Sequence, residues 1–219
     1  MTKTERVTFS SSAGETSGVL VTPDGGGKPP AVVVLQEWWG VNEQIQSVAV
    51  RYAEAGFVAL VPDLYHGQIA KDVDEAGRLM KALDSGRAVQ EIAGAVAFLR
   101  ERSNGKVAVT GYCMGGALSF RSAVDIRGLA AVVVFYGLPG DLDWSKIDAP
   151  VQAHFAKHDD WATVAGAQKI KEAVTVPMEL HIYDAYHAFA NDRRPDVYNV
   201  EAARQAWGHA LTFLRAHTA

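Results

Sequence analysis

The stretch Gly111-Tyr112-Cys113-Met114-Gly115-Gly116 decides how this 219-residue chain is interpreted. It has the form G-x-C-x-G-G, a cysteine version of the G-x-S-x-G turn that raises a nucleophile between a strand and a helix. The context fits, because an apolar strand is predicted over 107–111 and a helix over 115–123. Glycines are expected around such a nucleophile because neighbouring Cβ atoms would clash in the strained turn. We therefore predict that Cys113 is a nucleophile whose thiolate the helix N-terminus favours.

Strands and helices alternate along the rest of the chain. Further strands are predicted at 31–36, 57–61, 129–136, 151–155 and 178–183, and further helices at 44–55, 74–83, 88–101, 163–173 and 197–216. Apolar strands that alternate with helices predict a mostly parallel sheet with helices on both faces. Two short segments, 6–9 and 18–22, are predicted as edge strands. With the cysteine turn, this pattern indicates an α/β-hydrolase fold in a single domain over residues 1–219.

Composition excludes several classes of protein. A net charge of −4 argues against nucleic-acid partners, and no apolar run reaches the roughly 18 residues that a membrane span needs. The single cysteine permits no intrachain disulfide and is typical of a reducing, cytoplasmic compartment. A charged N-terminus with no apolar stretch after it predicts no signal peptide. We expect a small-molecule substrate, and a monomer or small homo-oligomer.

A nucleophile on this fold needs an acid and then a base later in the chain. His187 follows the last predicted strand and is the predicted base, while Asp159 and Asp160 both follow the preceding strand and spacing alone does not separate them. The other histidines are expected to be solvated (His158, His209, His217), packed within strands (His154, His181) or near the site (His66). No metal-ligand spacing such as H-E-x-x-H occurs, so we predict neither a metal nor another cofactor.

Acyl transfer also needs two donors aimed at the developing oxyanion. The backbone N–H of Met114, directly after the nucleophile, is one predicted donor. The other is the N–H of Trp38, in the loop after the strand at 31–36. Glu37 stands beside it, and from spacing alone a solvated loop carboxylate is the favoured interpretation of this residue.

The chain resembles the dienelactone hydrolase family over essentially its whole length. The matching stretches are Gln36-Glu37-Trp38-Trp39-Gly40-Val41-Asn42, Pro62-Asp63-Leu64-Tyr65, Gly111-Tyr112-Cys113-Met114-Gly115-Gly116, Tyr136-Gly137, Ala156-Lys157-His158-Asp159 and His187-Ala188-Phe189. The resemblance implies a catalytic triad of Cys113, His187 and Asp159. It also implies that Glu37 pairs with the resting thiol and helps to control its activation.

The chain departs from the family at the two arginines that hold the substrate carboxylate. The resemblance places Val73 near the first position and Asn191 at the second, and neither side chain is a bidentate cation. Asn191 is nevertheless predicted to contact the substrate. Arg78, Arg193, Arg194 and Lys71 are possible replacements. An apolar pocket wall is predicted from Trp38, Trp39, Tyr136, Trp161 and Phe189, although core packing accounts for any one of them equally well.

Together these features predict a hydrolase that cleaves a carboxylic ester or enol-lactone through an acyl-enzyme. Three alternatives stay open. One is a broad-specificity carboxylesterase with no preference for lactones, and another is a non-catalytic ligand-binding member of the fold. The third is a redox sensor, in which Cys113 forms a sulfenic acid and no ester is hydrolysed.

Overall fold

The computed structural model describes all of residues 1–219 and contains one eight-stranded sheet. The strands are β1 (Thr2–Ser11), β2 (Gly14–Pro23), β3 (Ala31–Leu35), β4 (Val58–Pro62), β5 (Val107–Tyr112), β6 (Val132–Phe135), β7 (Val151–His158) and β8 (Met178–Tyr186). The helices are α1 (Glu43–Glu54), α2 (Val73–Ala82), α3 (Ser85–Arg102), α4 (Met114–Asp125), α5 (Val164–Ala173) and α6 (Val200–Thr218), with a short 3-10 turn at Trp144–Lys146.

The strand order is β1-β2-β4-β3-β5-β6-β7-β8. Strand β2 pairs antiparallel with both of its neighbours, β1 and β4, and strands β3 to β8 are all parallel to one another. From β3 the chain moves to β4 on one side, and from β4 it crosses back to β5 on the other. Right-handed crossovers therefore place α1 on the opposite face of the sheet from α3 and α4. Helix α6 joins α1, since the rings of Tyr52 and Trp207 lie 4.6 Å apart. The reversal makes the carboxyl ends of β3 and β5 the expected place for a ligand.

The centre of the sheet is buried on both faces. Every residue of β3, β4, β5 and β6 is buried, as the continuous apolar runs in their sequences predict. Each fully buried Val or Leu stabilises the fold by about 1.5–3 kcal/mol relative to an exposed one. These four strands therefore hold rigidly the loops that leave their carboxyl ends.

Several predicted boundaries shift for identifiable reasons. The segment predicted at 18–22 is not an edge strand, because β1 runs over ten residues and pairs along the whole of β2. Helix α3 begins at Ser85 because Asp84 accepts from the N–H groups of Gly86 and Arg87. Helix α6 begins at Val200 because Asn199 caps it. Strands β7 and β8 extend beyond 155 and 183 by pairing with each other.

No helix combines the length and the apolar character needed to cross a membrane.

Candidate active site

Cys113 occupies a sharp turn between β5 and α4. Its φ is +53°, in the left-handed region that a β-carbon disfavours, and its N–H donates to the Phe135 carbonyl at 3.0 Å. A Cβ at Gly115 would lie 2.5 Å from the Leu35 carbonyl oxygen, and one at Gly116 would lie 2.5 Å from that of Phe135. Only glycine permits this approach, so the two glycines let α4 begin directly against the ends of β3 and β6.

A continuous chain of hydrogen bonds joins the thiol to a carboxylate. The Nε2 atom of His187 lies 3.2 Å from the Cys113 Sγ, and its Nδ1 lies 2.7 Å from the Asp159 Oδ2. Asp159 directly follows β7 and His187 directly follows β8, and these strands are adjacent and parallel. The structure therefore brings together the three residues that the sequence pointed to.

The carboxylate in contact with His187 belongs to Asp159, whereas Asp160 is exposed. Its other oxygen, Oδ1, accepts from the N–H groups of Trp161 and Ala162, both at 2.9 Å. Burial alone would raise the pKa of Asp159, but its hydrogen bonds with His187 and these amides outweigh burial and lower the pKa below its usual value. Asp159 therefore stays ionised and holds the imidazole in a fixed orientation.

The charge on His187 follows from the same contacts. Burial opposes a charged imidazole, but the hydrogen bonds to Asp159 and Cys113 outweigh it and raise the pKa of His187 to about 10. An imidazole in this setting is a base strong enough to take the proton of the thiol.

Glu37 and Cys113 line the same chamber, but no hydrogen bond joins them. The hydrogen bond of the Cys113 thiol goes to His187, which differs from the pairing with Glu37 that the family resemblance implied. The reason is that both carboxyl oxygens of Glu37 have other partners: the Tyr136 hydroxyl at 3.2 Å and the Asn191 amide at 2.8 Å. Glu37 is also not the solvated loop carboxylate that spacing favoured, because it is only 3% exposed. Burial, despite these two donors, raises the pKa of Glu37.

The two predicted oxyanion donors come from loops that meet at the elbow. Met114 is the first residue of α4, so its N–H has no acceptor within the helix. Trp38 follows β3, and its N–H donates to no backbone carbonyl. The close approach of Gly115 to the Leu35 and Gln36 carbonyl oxygens places these two loops side by side.

Two adjoining chambers open beside the thiol, and both are lined by Cys113 and His187 together with Met80 and Trp161. The first chamber, of about 260 Å³, is mainly apolar and is also lined by Met114, Ala117, Tyr136, Gly137, Leu138 and Ala162. The second, of about 200 Å³, is also lined by Glu37, Trp38, Ala188 and Arg194. Trp161 reaches both chambers although it is 70% exposed.

Three residues predicted to contact substrate do not line either chamber. Phe189 is fully buried and packs between Tyr136 and Tyr183, because the chain turns inward after His187. Trp39 lies behind Trp38, with ring centroids 5.3 Å apart. Asn191 is 2% exposed, and its amide is used by Glu37.

Sequence reasoning missed Met80 and left Arg194 unplaced among the candidate cations. Met80 lies on α2, far from every motif, and carried no signal. Arg194 could be proposed because it follows His187 by seven residues, and it is the only arginine that lines either chamber. Arg193 and Arg78 pair with Glu43 and Glu75 instead. The Val73 position is 59% exposed, at the start of α2.

The remaining histidines lie elsewhere. His154 is fully buried within β7, and its ring stacks on that of His181, which is part-exposed. His158, His209 and His217 are exposed, although His209 bonds the Tyr183 hydroxyl. His66 pairs with Glu91 and lines a separate hollow between its own loop and α2 and α3. No group of three or more histidine, cysteine or acidic side chains is arranged to hold a metal ion.

Comparison with known proteins assigns the family. The model of the dienelactone hydrolase family matches residues 16–218. "Protein usf" of Aquifex pyrophilus is 34% identical over 97% of this chain and 98% of its own length. The carboxymethylenebutenolidase of Pseudomonas sp. strain P51 is 32% identical over 97% of this chain and 95% of its own length.

A solved structure from Klebsiella pneumoniae, provisionally described as a dienelactone hydrolase, superposes with a TM-score of 0.90 at 23% identity over 98% of this chain and 99% of that one. This likeness shows the α/β-hydrolase fold. Since the family model covers nearly the whole chain and relatives above 30% identity align over almost their full length, the protein belongs to the dienelactone hydrolase family of carboxylic ester hydrolases.

Proposed function

We propose that Cys113, His187 and Asp159 form a catalytic triad that hydrolyses a carboxylic ester or enol-lactone through an acyl-enzyme. The observation that carries this proposal is the continuous chain from the Cys113 Sγ to the His187 Nε2 at 3.2 Å and from the His187 Nδ1 to the Asp159 Oδ2 at 2.7 Å. Both reacting side chains line the two chambers, so a substrate carbonyl can reach them.

In the first half-reaction His187 takes the thiol proton, and the Cys113 sulfur attacks the carbonyl carbon. The C=O π electrons move to the oxygen, which the N–H groups of Trp38 and Met114 stabilise. When the tetrahedral intermediate collapses, the C–O bond to the leaving oxygen breaks and His187 gives that oxygen its proton. Asp159 stabilises the imidazolium throughout. Water, deprotonated by His187, then cleaves the thioester and restores the thiol.

An activated ester or enol-lactone suits this nucleophile better than an amide. A thiolate leaves more easily than an amine anion, so an amide intermediate would return to substrate. The name carboxymethylenebutenolidase on a relative 32% identical to this chain supports an enol-lactone. Arg194, the only arginine in the second chamber, is the group we propose to hold an anionic end of such a substrate.

A broad carboxylesterase is the second candidate, and one observation favours it. At the two positions where the family resemblance implies arginines, Val73 is largely exposed to solvent, and the side-chain amide of Asn191 already donates to Glu37. Arg194 is itself paired with Asp196 through two hydrogen bonds, at 3.0 and 2.6 Å, which reduces its capacity for a substrate carboxylate.

Hydrolysis of p-nitrophenyl acetate and of a dienelactone by the wild type and by Cys113→Ala tests the proposal. We expect loss of both activities in the variant and, in the wild type, a thioester on Cys113 that mass spectrometry detects after rapid acid quenching. Full turnover by Cys113→Ala would remove the thiol from the mechanism. A much higher kcat/KM for the dienelactone favours the lactonase, and similar values favour the broad esterase.

A further inference from the structure

The backbone of Arg194 is fixed by a compact turn in the loop after His187. Its N–H donates to the Asn191 carbonyl at 3.1 Å, and its own carbonyl accepts from the N–H groups of Val197 and Tyr198 at 3.0 and 2.8 Å. The side chain of Arg194 lines the second chamber, which also contains the thiol. The turn therefore fixes the point from which the only arginine of the site reaches towards a substrate.

The same turn places Asp196 against the guanidinium group of Arg194. The Arg194 Nε donates to the Asp196 Oδ1 at 3.0 Å, and the Arg194 Nη2 donates to the Asp196 Oδ2 at 2.6 Å. This two-point pairing is the geometry in which an arginine binds a carboxylate most specifically. It lowers the pKa of Asp196, so this carboxyl group is charged at neutral pH. Asp196 itself lines neither chamber.

The pairing offsets the charge of Arg194 but leaves part of its donor capacity unused. A guanidinium group has five N–H groups, and Asp196 accepts from two of them. The other three, two on Nη1 and one on Nη2, have no acceptor within the protein. A substrate carboxylate that binds there meets the negative charge of Asp196 together with the positive charge of Arg194. Its attraction to the chamber is therefore weaker than the attraction to an unpaired arginine.

We propose that Asp196 is a specificity-determining residue that weakens the attraction of the second chamber for anionic substrates by neutralising Arg194, so that neutral esters and lactones are accepted as well. Asp196 acts through Arg194 and does not touch the substrate. The proposal rests on the function proposed above, in which Arg194 faces one end of the substrate. It adds that a charge outside the chamber, and not the lining residues alone, sets the preference between anionic and neutral substrates.

Two exposed aspartates in this loop allow a matched test. Asp196→Asn removes the negative charge but keeps a side-chain oxygen that can accept from Arg194. Asp192→Asn is the control, because it removes the same charge from an exposed residue of the same loop that forms no ion pair. Arg194→Gln, alone and combined with Asp196→Asn, shows whether the guanidinium is the group on which Asp196 acts. Since both aspartates are exposed, neither substitution disturbs the core.

The single cysteine of the chain gives a measurement that does not depend on ester hydrolysis. Iodoacetate and iodoacetamide are nearly the same size, but only iodoacetate is an anion. With either reagent the Cys113 sulfur forms an S–C bond, iodide leaves, and the thiol proton passes to His187. The ratio of the two alkylation rates therefore cancels the reactivity of the thiol and reports how the chamber responds to negative charge. The same comparison for esters uses p-nitrophenyl hydrogen succinate and p-nitrophenyl valerate.

At low ionic strength we expect Asp196→Asn to raise the iodoacetate-to-iodoacetamide ratio about three- to tenfold, because one charge of a partly exposed pair is removed. The ratio of kcat/KM for the anionic ester to that for the neutral ester should rise by a similar factor. Asp192→Asn should change neither ratio by more than about twofold, and Arg194→Gln should lower both. The double variant should lie within about threefold of the wild type, since it removes both charges of the pair. The rise should shrink in about 0.5 M salt, which screens exposed charges.

An unchanged or lower alkylation ratio in Asp196→Asn would overturn the proposal. So would an equal rise in Asp192→Asn, because the net charge of the loop would then explain both. A rise in Asp196→Asn without a fall in Arg194→Gln would also overturn it, because the anion would then not respond to the guanidinium. A wild type that is alkylated but hydrolyses neither ester would instead refute the proposed function, while the alkylation ratios would still decide the role of Asp196.

Discussion

Two histidines on the same pair of strands have opposite preferences for charge. His187, at the end of β8, has a pKa raised to about 10, whereas the pKa of His154, in the middle of β7, is well below its usual value. Both side chains are largely removed from water, and burial opposes the charged form of each. Burial is complete at His154 and partial at His187, whose side chain is 28% exposed, but burial alone cannot raise the pKa of His187.

The partners of the two rings explain the difference. His187 bonds the Asp159 carboxylate and the Cys113 thiol. His154 bonds only neutral groups, the Tyr183 hydroxyl at 2.9 Å and the side-chain Oε1 of Gln152 at 3.0 Å, and the neighbouring His181, on which its ring stacks, lowers its pKa further. The Asp159 carboxylate and the Cys113 thiol together outweigh burial and raise the pKa of His187, whereas the partners of His154 do not offset its burial.

Removal of that carboxylate should have the largest effect. We expect Asp159→Asn to lower kcat/KM for an activated ester by about 10³- to 10⁴-fold, because the imidazolium loses its partner and its orientation. The pKa of His187, followed by NMR, should fall at the same time. Asp160→Asn is the matched control, since its exposed carboxylate does not contact His187. A loss within tenfold of that control would contradict the role of the carboxylate.

The neutral histidine should make the fold sensitive to acid. In the unfolded chain His154 takes up a proton below about pH 6.5, but in the folded protein its lowered pKa resists protonation. The free energy of unfolding should therefore fall as pH drops below about 6.5, with His154 contributing at most about 2 kcal/mol at pH 5. The lowered pKa of Asp159 acts below this range, since its contribution is lost only as pH falls through that pKa.

Urea unfolding of the wild type and of His154→Gln between pH 8 and 5 measures this contribution. The variant should lose stability at neutral pH, because Tyr183 and Gln152 lose partners, but its stability should fall less steeply with acid. Equal slopes in the two proteins would show that His154 is not the acid-sensitive group.

The smallest effect is expected from His209, the exposed member of the cluster that it forms with His154, His181 and Tyr183. His209 bonds the Tyr183 hydroxyl at 3.2 Å and stacks on His181 with ring centroids 4.3 Å apart. We expect His209→Ala to lower the free energy of unfolding by less than about 1 kcal/mol and to leave ester hydrolysis unchanged. A greater destabilisation than in His154→Gln would show that the surface histidine, and not the buried one, holds the cluster together.

The sequence allowed Cys113 and His187 to be placed because each directly follows a strand that could be predicted. In a parallel sheet, the carboxyl ends of neighbouring strands meet at one edge, so these two positions could be deduced from local patterns. The topology follows from the same alternation. The prediction that β2 is an edge strand was wrong because β1, which covers it, is polar and part-exposed. No run of apolar residues indicated how long β1 is.

The choice between Asp159 and Asp160 could not be made from spacing, because the two lie one residue apart. Two backbone amides in the following turn donate to Asp159 and fix its position. The types of the residues in this turn do not predict its backbone geometry. The partners of Glu37 lie 99 and 154 residues away in the chain. Contacts between residues so far apart in the chain depend on the packing of the whole sheet, which the sequence does not show. The sequence therefore suggested that Asn191 contacts the substrate, whereas in the structure its amide contacts Glu37.

The crowding of backbone around the elbow limits how this site can change. Carbonyl oxygens from β3 and β6 fill the space that side chains at Gly115 and Gly116 would need, so the turn that carries Cys113 tolerates almost no substitution at these glycines. The walls formed by Met80, Leu138 and Trp161 carry no such restriction. New substrate preferences, in nature or in the laboratory, should therefore come from reshaping those walls around a fixed sulfur, and libraries directed at the turn itself should yield mostly misfolded protein.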